Sequence, residues 1–288
     1  MSDDNRRETF WTPEPPRLRV EIPKGRIRLS ASGPGETRIE LVALDGDARS
    51  RTMIAGAEIA QNGAEILVRV RSDGRSRFFG LGGSIEALIQ APAGADAVLS
   101  TGAGKIETRG RLGKLDVRSG AGAISVDDCA EAHARSGAGA IAIGSASGSV
   151  DAKSGSGGVK VGKVGADAAL ATGAGSTELA EVAGAARLAT GVGDIDIGRA
   201  GDAVEAFCAA GSIRVRRADH GRVRAQTVAG AVSVGVASGV AALLDVSTLS
   251  GRVNSELGAC DAPGEGEPRV ELILSTVSGA VNLARVRP

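Results

Sequence analysis

Few side chains in this 288-residue chain could do chemistry: His133 and His220, the cysteines Cys129, Cys208 and Cys260, and the pair Asp194 and Asp196. A nucleophilic or metal site needs an imidazole that meets a Ser, Cys or carboxylate at motif spacing, and neither histidine is so placed. Three cysteines at wide spacing, with no Cys-x-x-Cys, predict neither a disulfide framework nor a zinc site. Free thiols fit a reducing compartment, with Cys129 and Cys208 as small core residues. Asp194 and Asp196 are similar to the paired carboxylates of polysaccharide-cleaving solenoids, but acids alternate in this way on any solvated strand. The many Gly-x-Gly steps lack the Lys-Ser/Thr of a phosphate loop. The residues therefore predict no catalytic group, no cofactor and no metal.

The elements that must carry these residues are set by a repeat. Thr101-Gly102-Ala103-Gly104 recurs as Ser119 to Gly122, Ser136 to Gly139, Ser154 to Gly157, Thr172 to Gly175 and Thr190 to Gly193. Taking the last glycine as anchor, the series continues through Gly211, Gly230, Gly251 and Gly279, with spacings of 18, 17, 18, 18, 18, 18, 19, 21 and 28. A period held over ten units marks a repeat architecture. Positions seven and five before the anchor are apolar, as in Val150 and Ala152, or Ala186 and Leu188. Positions two and four after it are mostly Ile, Val or Leu, as in Ile195 and Ile197, with Thr177 at the first and Thr108 and Ser255 at the second as exceptions. Alternation with β-branched residues means strands. Each unit is a strand, a glycine corner, a second strand and a second corner.

Stacking such units predicts an all-β fold: a single-stranded parallel β-solenoid (β-helix) of about 18 residues per coil, rungs roughly 4.8 Å apart. The general hand of parallel crossovers makes it right-handed. The six-residue period of left-handed hexapeptide helices fails, because Lys105, Ser176, Asp194 and Ser212 fall where that helix needs apolar side chains. Three before each anchor runs a column of Thr or Ser, broken by Cys208, whose hydroxyls can bond to one another or to the corner backbone. Helices should be nearly absent. Residues 1–16 read as a flexible tail, 17–96 as irregular opening coils, and 97–288 as about ten regular coils of one solenoid. Residues 71–83 and 258–268 read as loops.

Composition fits this picture. Glycine, at 43 residues, has roughly twice its usual share, while Phe 4, Trp 1 and Tyr 0 leave five aromatics. A narrow coil packs Ala, Val, Leu and Ile where rings would not fit. Lys and Arg (34) balance Asp and Glu (34), which removes a basic footprint for nucleic acid. No apolar run reaches the length of a membrane span, and Met1 to Asn5 lacks the layout of a signal peptide, so a cytoplasmic location is expected.

A leading strand pair, an alternating segment closing on Ile89-Gln90-Ala91-Pro92-Ala93-Gly94-Ala95, and serial Ser/Thr-Gly-x-Gly-x-Ile-x-Val coils resemble the bacterial "putative adhesin" family of β-solenoids over residues 17–288. Bactofilins look like more distant relatives. The resemblance implies the fold and no enzymatic residues. The candidate interaction surface is the outward column Arg118, Arg135 and Lys153 followed by Ala171, Ala189 and Phe207, with Asp116 and Asp151 placed to neutralise the cations. The aromatics Phe10, Trp11, Phe78 and Phe79, which the regular coils do not need, join it. The leading expectation is a non-enzymatic scaffold acting through a protein partner or self-association. A surface or carbohydrate-binding adhesin is the alternative, and a polysaccharide-acting enzyme the third.

Overall fold

A computed structural model describes residues 5–71, 83–257 and 268–286. Among these the chain is almost entirely strand, with one helix, Ala48–Ala55. It divides into two compact units, Met1–Ser145 and Ala146–Pro288.

The second unit shows the repeat most plainly. Strands Val150–Ser156, Ala168–Ala174, Ala186–Val192, Val204–Ala210 and Gly221–Ala229 stack in parallel, in register, on one face. Strands Val159–Val164, Thr177–Val182, Ile195–Ala200, Ile213–Ala218 and Val232–Ala237 stack in parallel on the other, with one register shift between Val215 and Ala218 in the last pair. The expected inward columns are buried, Leu188 at 2% and Ile197 at 0% exposure among them. The corner glycines are required by geometry. Gly193 has φ +134, and a Cβ there would run into the carbonyl of Gly175 one coil back. The hydroxyl column bonds to this corner: Thr172 Oγ1 donates to Gly157 O at 2.9 Å and Thr190 Oγ1 to Gly175 O at 3.0 Å.

The last coils of this unit do not stack in sequence order. Strand Arg269–Ser278 lies between Gly221–Ala229 and Ala241–Ser250, and Val281–Val286 between Val232–Ala237 and Val253–Ser255. The corner follows the same order, with Thr276 donating to Gly230 O and Thr248 to Gly279 O. Among the described residues the coil 241–255 is therefore the outermost, although it precedes its neighbour in the chain.

The first unit repeats this device at its beginning. The first half of strand Arg17–Ser32 lies between Glu65–Arg69 and Asp96–Arg109, and its second half between Ile85–Pro92 and Asp96–Arg109. Beyond the outer coil the sheets end in antiparallel strands: Gly35–Ala43 against Ile85–Pro92, Asn5–Thr12 against Gly35–Ala43, and Glu58–Asn62 against Glu65–Arg69. The helix, with Asp47 accepting from the Arg49 N–H at its N-cap, buries Met53 and Ile54 and closes this end. The expectation of a flexible tail over 1–16 is corrected here, since Asn5–Thr12 is paired along its whole length. The opening coils are interleaved in their stacking order. Both loop expectations fall largely outside the described residues.

Candidate interaction surfaces

The outward columns of both units are set by strand register. In the first unit Arg118 pairs with Arg135 across Arg111–Ala121 and Ile124–Ala138. Arg118 is held by Asp116 on its own strand, Nη2 to Oδ2 2.7 Å, whereas Arg135 is exposed and has no ion-pair partner among the described residues. In the second unit Lys153, Ala171, Ala189, Phe207 and Gln226 stand in one registered column. Lys153 sits 3.3 Å from the Asp151 carboxylate. Neutralisation by Asp116 and Asp151 is thus present. The alanines floor a shallow groove of about 440 Å³ that runs from Lys153 past Phe207 to Gln226 and is also lined by Arg187 and Arg224. Phe207 is 49% exposed there.

The two carboxylates that could do chemistry are held in structural contacts. Asp194 Oδ1 accepts the Ser212 N–H at 2.8 Å, as Asp167 does from Ala185 and Asp96 from Lys114, so these carboxylates secure the turn one coil up. Asp196 is held by both Nε and Nη2 of Arg216, at 2.8 and 2.7 Å. His133 and His220 are exposed on different coils. Cys129 and Cys208 are free and buried. Burial, with the nearby Asp128 charge, pushes the Cys129 thiol up to about 11, and burial raises that of Cys208 as well. Neither is poised as a thiolate. Cys260 lies outside the described residues, as do Phe78 and Phe79.

Of the aromatic pair near the start, Phe10 faces inward from Asn5–Thr12 and is half-buried, while Trp11 faces outward and is 70% exposed. The Trp11 ring lies over Gly35, where a Cβ would stand 3.2 Å from Cζ3.

One further apolar surface lies outside the columns already described. Among the described residues the coil 241–255 has a neighbour on one side only, and Leu244 (40%) and Val253 (48%) are exposed where the registered Leu272 and Val281 are buried, while Leu243 (70%) and Leu249 (84%) stand on outward columns. Val228, Val277 and Leu249 stack as an exposed apolar column leading to it. A signal for it does exist in the chain. Large aliphatics occupy a position that is glycine in most coils, such as Gly120, Gly173 and Gly191.

No family model matches the chain, and no curated protein matches it. Solved structures do. A "putative adhesin" from Bacteroides fragilis shares 17% identity over 99% of this chain and 98% of its own, with a TM-score of 0.44. A "putative lipid binding protein" from Parabacteroides distasonis shares 10% over 99% and 97%, with 0.43. A "putative adhesin" from Parabacteroides merdae shares 8% over 99% and 97%, with 0.35.

Proposed function

We propose that the protein is a non-enzymatic β-solenoid scaffold that acts by protein contact, self-association included, through the open coil 241–255. The observation that supports this reading is the exposure of Leu243 and Leu249 beside a strand whose outer edge has no partner among the described residues. A bare edge with apolar side chains is a template for another chain. The segment 258–267, Gly-Ala-Cys-Asp-Ala-Pro-Gly-Glu-Gly-Glu, has no bulky apolar residue with which to cover it. A two-fold axis across the open end reverses strand direction, so two copies meet antiparallel and bury the same residues from each side. The two buried, unbridged thiols Cys129 and Cys208 suit a cytoplasmic setting.

Light scattering on the purified protein tests this reading. The expected mass is that of two chains, falling to one in Leu243→Glu and Leu249→Glu with unchanged circular dichroism. A wild-type mass of one chain at every concentration overturns it.

A second reading, a carbohydrate-binding surface protein, draws on the exposed Trp11.

A further inference from the structure

The outward face of the first unit's closing sheet carries five strand segments in fixed register, and its side chains form columns that cross the strands. One column runs Thr9, Arg38, Gln90, Ser30 and Arg109. The next holds Trp11 and Glu36. Trp11, Glu36, Arg38 and Gln90 line a groove of about 330 Å³ together with Ser32 and Pro34. Arg38 and Gln90 also line an adjoining groove of about 370 Å³, which continues past Ser30 to Arg109. The joint path crosses four strand steps, roughly 19 Å at ~4.8 Å each.

The chemistry along this path is specific. The indole approaches the Gly35 backbone through Cζ3 and Cη2, and the ring stays 70% exposed. A bare tryptophan on a rigid sheet presents a negative π face to weakly positive C–H groups, which the flat side of a pyranose supplies. Planar hydrogen-bonding groups follow beside it. Arg38 is fixed by Glu36, with Nη2 to Oε2 at 2.8 Å, so the pair offers donors and acceptors in one plane. The Gln90 amide makes no hydrogen bond within the protein among the described residues, and Arg109 has neither ion pair nor hydrogen bond there. Its neighbour Arg28 is by contrast engaged with Glu86 and Glu107. The path thus runs from an aromatic platform through neutral and paired groups to one unneutralised cation. The chain's balanced charge argues against a polyanion held by phosphate contacts alone.

We propose that this face binds an oligosaccharide carrying uronic acid residues. A sugar ring stacks on Trp11, hydroxyls bond to Gln90 and to the Arg38–Glu36 pair, and Arg109 takes a carboxylate. The inference rests on the second reading above, carbohydrate binding, and gives it a place and a ligand class.

Trp11 is the sole tryptophan and the chain has no tyrosine, so the intrinsic emission reports this site alone. The experiment titrates the full chain with oligogalacturonate and with a neutral gluco-oligosaccharide of equal length, following emission and, in parallel, calorimetric heat. The expected result is a saturable emission change with oligogalacturonate that is weaker by about tenfold with the neutral sugar. Arg109→Gln, which keeps the fluorophore, weakens acidic binding by about the same factor. Trp11→Ala abolishes the calorimetric signal, with its melting curve confirming the fold. Binding heat that persists undiminished in Trp11→Ala overturns the site but leaves carbohydrate binding standing. No heat with either sugar overturns both. Equal affinity for the two sugars overturns the assignment of Arg109.

Discussion

Cys208 Sγ lies 3.1 Å from the carbonyl oxygen of Gly193, donating from the position at which Thr190 donates to Gly175 and Thr227 to Gly211. The thiol is the weak member of a column of hydroxyl donors. Cys208→Thr matches its registered neighbours Thr190 and Thr227 and should stabilise the protein by about 0.5–1 kcal/mol. Cys208→Val, which cannot donate, should cost about as much. Urea unfolding of the two variants gives both signs.

Gly193→Ala tests the corner itself. The residue has φ +134, and a Cβ would meet backbone of the coil beneath rather than a side chain that can turn aside. The expected loss is roughly 2–4 kcal/mol. At Gly239, where φ is +81, a Cβ would find no other atom within 4 Å. Gly239→Ala should therefore cost only the backbone strain, about 1 kcal/mol. Equal melting points for the two variants would show that the corners relax.

Thr177 is fully buried between Val159 and Ile195 in the column two past the anchor, and its Oγ1 has no hydrogen-bond partner among the described residues. A buried hydroxyl without a partner carries a desolvation cost with no return. Thr177→Val should raise stability by about 1 kcal/mol. Thr172→Val, in the column whose hydroxyl donates to Gly157, should lower it by a similar amount. Calorimetric melting of the pair distinguishes a satisfied from an unsatisfied threonine at two sites in one coil.

The inward columns and the hydroxyl column are legible in the sequence because each coil restates them: Ser119, Thr190 and Thr227 keep one role at one phase. The stacking order at the ends is not. Gly251 and Gly279 sit in similar local sequence, and which lies outside depends on long-range pairing that leaves its trace only in the spacings of 21 and 28 and in outward Leu249. Strand Asn5–Thr12 has the sequence of a tail because an end strand needs no apolar alternation: its inward positions hold Arg6, Glu8, Phe10 and Thr12. Trp11 stands out in the sequence as an unneeded aromatic, but the groove it lines is made by Ser32, Glu36 and Gln90 from three different strands.

Cys129 gives a pH signature. It pairs in register with Leu112, its thiol faces the Ser145 carbonyl at 3.6 Å, and burial first, then the Asp128 charge, raises its pKa from an ordinary 9.0 to about 11. The folded state thus favours the neutral thiol. A raised pKa contributes stability that is complete below the unfolded value and is lost as pH climbs through the folded one. Stability should therefore hold up to about pH 9 and decline toward about pH 11. Cys208, raised in the same direction, adds to the slope. With no tyrosine in the chain, no phenol titrates in this window to obscure it. Urea midpoints measured from pH 7 to 11 should fall less steeply in Cys129→Ala than in the wild type, even though the variant starts lower for want of a core side chain. Parallel curves would mean that the thiolate is solvated where it stands.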